Sequence, residues 1–162
     1  MDDRDVVARQ IGREPRAFLR VVVRCPHGGP AVTEQAPYDE SGNPFPTTYY
    51  LTCPHLVAAV SRLEAAGGVE RWTEAAATDA VLADSLRDAN EEQRRVRREL
   101  AGDRDDPSLD LGVGGAGRYG SLKCLHAHVA FALARPGYEL GERILGEVID
   151  PWPADHCCTE LP

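Results

Sequence analysis

The chain has 162 residues, 43% apolar and 27% charged, with a formal net charge of −8. That length suits one domain with a proper core, and the negative field argues against nucleic acid or an anionic membrane as partner. No apolar run approaches the roughly 18 residues of a membrane span, and the opening Met1-Asp2-Asp3-Arg4 lacks the basic and apolar regions of a signal peptide, so a cytoplasmic protein is expected.

Residues 3–12 predict a short helix, capped by Asp3 or Asp5 and stopped by Gly12 and Pro15. Phe18 to Arg24 is rich in β-branched residues and predicts a strand. Pro26, Gly28, Gly29 and Pro30 force a turn, and Ala31 to Gln35 gives a second strand. After a loop at Asp39 to Pro44, residues 47–52 form a third strand by their β-branched and aromatic content. Short connections suggest an antiparallel meander.

The period changes after Cys53. Pro54 suits the first position of a helix, and Leu56, Val57, Val60 and Leu63 share one helical face before Gly67 and Gly68 end it. A long helix over 69–100, broken near Thr78, follows. Its seam of Leu82, Leu86, Ala89, Gln93, Val96 and Leu100 could pair with a partner helix. Arg94, Arg95, Arg97 and Arg98 complement the helix dipole as a solvated face. Residues 101–120 form a hydrophilic, then Gly-rich connection. Ser121 is placed to cap a helix reaching Ala134, and a last helix spans Glu139 to Ile149. The expected fold is α+β in a single domain: a small N-terminal antiparallel meander (1–52) packed against a mostly helical C-terminal part (53–150), then a Cys-bearing tail (151–162).

All five histidines lie close to the five cysteines: Cys25-Pro26-His27, Cys53-Pro54-His55, Cys124-Leu125-His126-Ala127-His128 and His156-Cys157-Cys158. Thiolate and neutral imidazole are the donors that zinc and soft iron centres prefer. Reduced cysteines in a cytoplasmic protein point to metal or catalysis rather than to disulfides. The economical site takes Cys25, Cys53, Cys124 and a tail cysteine, Cys157 or Cys158, with His128 able to replace a thiolate. Such a site would hold zinc or an iron–sulfur cluster and join distant segments. On a helix His126 points away from both Cys124 and His128. His55 and His126 are then candidates for catalysis or for supporting the ligands. Cys53 or Cys124 acting as a nucleophile is a competing arrangement, and buried apolar cysteines are the plain alternative.

Gly112-Val113-Gly114-Gly115-Ala116-Gly117 matches the dinucleotide-binding glycine pattern, but no buried strand precedes it and no βαβ unit surrounds it. With Arg118, Lys123 and the following helix N-terminus, this loop could still hold a small anionic substrate.

Two stretches resemble a known family. Pro44-Phe-Pro-Thr-Thr-Tyr-Tyr-Leu-Thr-Cys-Pro-His-Leu56, continuing to Ser61-Arg-Leu-Glu64, is similar to the first signature of the bacterial family called domain of unknown function 501. Gly112-Val-Gly-Gly115 with Leu122-Lys-Cys-Leu-His-Ala-His128 is similar to its second. The resemblance runs from Arg24-Cys25-Pro26 to the tail. It implies a bacterial protein, of actinobacterial type by its Ala/Arg/Gly-rich composition, and brings no activity with it. Family genes neighbouring those for a septum-formation protein and an exopolyphosphatase suggest an association with cell division or polyphosphate metabolism.

Overall fold

The computed structural model describes residues 1–118 and 120–158. Its first element, α1 (Asp3–Ile11), is capped one residue earlier than the sequence suggests: Asp2 accepts from the Asp5 amide, and Gly12 closes the helix with φ 71°. Strands β1 (Phe18–Arg24), β2 (Pro30–Gln35) and β3 (Tyr49–Leu51) form an antiparallel sheet in the order β1-β2-β3. All six residues of β2 are buried, because it is the middle strand and both α1 and a later helix (Leu125–Ala134) pack on it. Its polar members are satisfied locally: buried Glu34 accepts from Arg20 at 2.7 Å, and Gln35 donates to Thr33 at 2.6 Å.

Helix α2 (Pro54–Ala65) begins at Pro54 with Cys53 as its N-cap residue, as the missing proline N–H favours. The predicted long helix divides into α3 (Gly68–Thr78) and α4 (Ala80–Ala101). Asp79 makes the break by capping α4, accepting from Val81 and Leu82. The seam on α4 faces inward: Leu82, Leu86, Ala89, Gln93 and Val96 are buried, and only Leu100 is exposed. That face is spent on the molecule's own core and is not open to a partner helix. Among the arginines, Arg95 pairs with Glu92 and Glu99 at the surface, and Arg98 pairs with Asp105 and Asp110. Arg97 departs from the expected solvated face. It is fully buried and donates to the carbonyls of Phe45 (2.8 Å) and Ser108 (3.0 Å).

The glycine loop packs against α4. Asn90 accepts from the Val113 amide at 2.9 Å, and Gln93 donates to the Gly112 carbonyl. A Cβ on Gly112 would stand 2.5 Å from Asn90 Oδ1, and one on Gly115 would stand 2.8 Å from Pro46. These glycines serve close packing. Helix α5 (Leu125–Ala134) starts later than predicted, with extended Cys124 (φ −153°, ψ 158°) in place of Ser121 at the cap position. It is apolar on nearly every side and forms the central post of the core, contacting β3, α2 and the turn at Val113–Gly115. Helix α6 (Glu139–Glu147) closes over α5, where Phe131 makes edge-on contacts with Tyr49 and Tyr138.

Candidate metal centres

Both Cys-Pro-His triplets close on the tail in the same way. The Cys25 sulfur lies 3.7 Å from Cys157, and His27 Nε2 donates to the Pro153 carbonyl at 2.9 Å. The Cys53 sulfur lies 3.2 Å from Cys158, and His55 Nε2 donates to the Asp150 carbonyl at 2.7 Å. In each triplet the cysteine meets a tail cysteine and the histidine holds a tail carbonyl. The local folding is simple: Cys25 ends just after β1, at a turn closed by Gly28 N–H to its own carbonyl, and Cys53 sits at the head of α2. All five cysteines are free thiols. Burial pushes the Cys25 thiol up, with Cys157 adding to it, while the amides of His27 and Gly29 act the other way. Burial and the adjacent Cys53 push Cys158 up to about 12, against the His55 amide. The four sulfurs stand two by two; no three of them lie mutually within 4.8 Å.

A second group forms about 16 Å along α2 from Cys53, at the rise of an α-helix. Glu64, Cys124 and His126 bring one ligand atom each to within 4.8 Å of one another. Val57, Ser61 and Glu64 fall on one face of α2 by steps of four and three, and His126 lies against that face. His126 Nε2 approaches the Val57 carbonyl (3.2 Å) and Ser61 Oγ (3.1 Å), while Nδ1 faces Glu64 Oε1 at 3.1 Å. The same carboxylate oxygen accepts from the Leu125 amide at 2.6 Å and so caps α5 from outside that helix. Burial lowers the pKa of His126, but Cys124, Glu64 and the Val57 carbonyl outweigh it and raise it overall. Cys124 and His126 also line a groove of about 420 Å³ with Tyr49, Tyr50, Val57 and Ser61. A larger cleft of about 530 Å³ lies between α4 and the start of α6, and no cysteine or histidine lines it.

The structure therefore divides the residues that the sequence groups together. Cys25 meets Cys157 and Cys53 meets Cys158 as two separate pairs, and Cys124 belongs to the other group. The helical argument that separates His126 from Cys124 fails because Cys124 is extended rather than helical. His128 faces the core instead of either group. It is buried, with Nδ1 2.7 Å from the Tyr138 hydroxyl, and burial lowers its pKa to about 4. His55 is committed to the tail carbonyl, away from the groove. Arg118 and Lys123 are exposed and neither lines the groove. The α5 N-terminus, expected to attract an anion, already has Glu64. Glu64 ends the first family signature but has no site role in the sequence reading; its signal is a carboxylate on the same α2 face as Val57 and Ser61.

A family model described as protein of unknown function (DUF501) matches residues 21–149. No curated protein and no solved structure matches the chain.

Proposed function

The chain belongs to the DUF501 family, and we propose that it is a metal-binding protein whose thiolate centre, Cys25, Cys53, Cys157 and Cys158, ties the tail to the sheet and to α2. The observation that carries this reading is the repeated clamp, in which both triplets meet the tail through sulfur and imidazole together. Cys25, Cys53 and Cys157 are buried and Cys158 half-buried, burial pushes the Cys25 and Cys158 thiols up, and a cation is what makes thiolates stable there; binding would release their protons. Backbone amides directed at the sulfurs of Cys25 and Cys158 suit thiolates in a metal centre. A tetrahedral zinc with bonds of about 2.3 Å would hold all four sulfurs about 3.8 Å apart, a spacing that the Cys25–Cys157 pair has and that requires the two pairs to draw together on binding. A two-iron cluster takes two thiolates per iron, which matches the two-by-two grouping. A reducing compartment such as the cytoplasm fits free thiols.

Anaerobic purification followed by metal and sulfide analysis tests the reading. Brown protein with iron and sulfide identifies a cluster; colourless protein that loses one zinc equivalent in Cys158→Ser identifies zinc. Either centre is expected to lower the melting temperature when stripped. Purified protein with neither metal, or with Cys25–Cys157 and Cys53–Cys158 joined as disulfides, would overturn it.

A further inference from the structure

Glu64, Cys124 and His126 stand where a proton and a metal ion compete for one place. The Val57 carbonyl can only accept, so Nε2 of His126 carries a hydrogen. In the neutral ring Nδ1 then presents a lone pair, and it faces a Glu64 oxygen 3.1 Å away. The Glu64 oxygen there meets a positive centre in one of two forms, the second proton of an imidazolium ion-paired with it or a metal ion in the place of that proton. We propose that this centre is a divalent metal ion, zinc by its donor set, held by Glu64 Oε, Cys124 Sγ and His126 Nδ1, with its fourth position open to the groove.

Three observations converge on it. One oxygen, one sulfur and one nitrogen lie within 4.8 Å of one another, the mixed set that zinc accepts at catalytic centres with three protein ligands. The opposite ring nitrogen donates to a backbone carbonyl, which is how metal-bound histidines are oriented. Two of the three ligands line a groove of about 420 Å³, within the size range of small-molecule sites. A cysteine–histidine–carboxylate nucleophile is disfavoured by the same geometry. Such a triad needs the thiol and the carboxylate on opposite ring nitrogens, whereas here Nε2 is occupied by Val57 and Ser61.

The groove wall sets the substrate class. Thr47, Tyr49, Tyr50, Leu51, Val57 and Ala127 supply apolar surface and hydroxyls, and among the described residues no lysine or arginine lines it. An uncharged carbonyl compound, an ester or amide, fits this wall; a phosphate does not. The reaction at such a centre is hydrolysis: the oxygen of a metal-bound water bonds to the carbonyl carbon, the bond from that carbon to oxygen or nitrogen breaks, and a proton from the water passes to the leaving group. The site is independent of the tail thiolates, so each can fail alone.

The test uses the full chain. Glu64→Gln and His126→Gln should each lose one zinc equivalent that Cys158→Ser retains. In wild-type protein with the site filled by cobalt, acetohydroxamate, a carbonyl-bearing metal ligand, should shift the visible spectrum, and Glu64→Gln should abolish the shift. Nitrogen-15 spectra of the zinc-loaded wild type keep the question decidable if a variant fails to fold. Expected is a His126 ring with Nε2 protonated and Nδ1 metal-bound, unchanged between pH 6 and 8. A proton on Nδ1 in zinc-loaded protein, an unchanged zinc content in both variants, or a cobalt spectrum blind to acetohydroxamate would each overturn the proposal.

Discussion

His128 shows how far one helix can separate neighbouring residues. Two positions beyond His126, it is buried against Tyr138 while His126 lies at a groove. Burial favours its neutral form, with a pKa of about 4 against an ordinary value near 6.5. The unfolded chain therefore binds more protons between those values, so stability present above pH 6.5 is lost as pH falls toward 4. Over the whole window the loss is at most about 3 kcal/mol, and by pH 5 it is about 2 kcal/mol. Urea midpoints at pH 7 and pH 5 measure it. His128→Gln should shrink the difference between the two, and an equal difference in that variant would assign the effect to other groups.

At the scale of elements, α6 makes opposite predictions for two of its glycines. Alanine is the better helix former at both Gly141 and Gly146. At Gly141 an added Cβ would stand 2.5 Å from Tyr138 Cδ1, 2.7 Å from Ala132 Cβ and 2.7 Å from the His128 carbonyl. Gly141→Ala should therefore destabilise by about 1–3 kcal/mol through overpacking of α5 against α6. At Gly146 nothing lies within 4 Å, and Gly146→Ala should stabilise by about 0.4–1 kcal/mol. Thermal melts of the two variants should move in opposite directions; equal shifts would mean that α6 does not lie this close to α5. Helix α4 shows the same competition between local pattern and packing. Its arginines look alike in sequence, yet Arg97 turns inward to serve two carbonyls while Arg95 and Arg98 pair at the surface.

For the whole molecule, the α4 seam decides between a partner surface and a core. Its burial predicts that Leu86→Asp unfolds the chain cooperatively, at a cost of about 3–5 kcal/mol, instead of dissociating an assembly. A folded variant of unchanged stability would reject that placement. The strands and helices were legible because local chemistry decides them: β-branched runs, Pro54 at a helix start, Asp79 at a cap. The grouping of the cysteines was less so. Cys25, Cys53 and a tail cysteine could be linked by residue type, but the partition between Cys124 and Cys158 depends on where α2 and α5 cross. Glu64 ends the first family signature, yet nothing local marks it as a ligand, since a carboxylate on a helix face is ordinarily a solvated one. No spacing rule links residues 60 or more positions apart when three-dimensional packing alone brings them together.

The double clamp on the tail also has a consequence for how the protein is made. Cys53 and Cys158 are 105 positions apart, and Cys25 and Cys157 are 132 apart. At ordinary rates of synthesis the earlier thiols precede their companions by about 5–25 seconds. During that interval Cys25 and Cys53 are half-sites exposed to any oxidant or stray ion on the ribosome-bound chain. Pairing of the four thiols is thereby a late event of biogenesis, and a metal ion held by them, as proposed, would on its loss return the molecule to that vulnerable nascent condition.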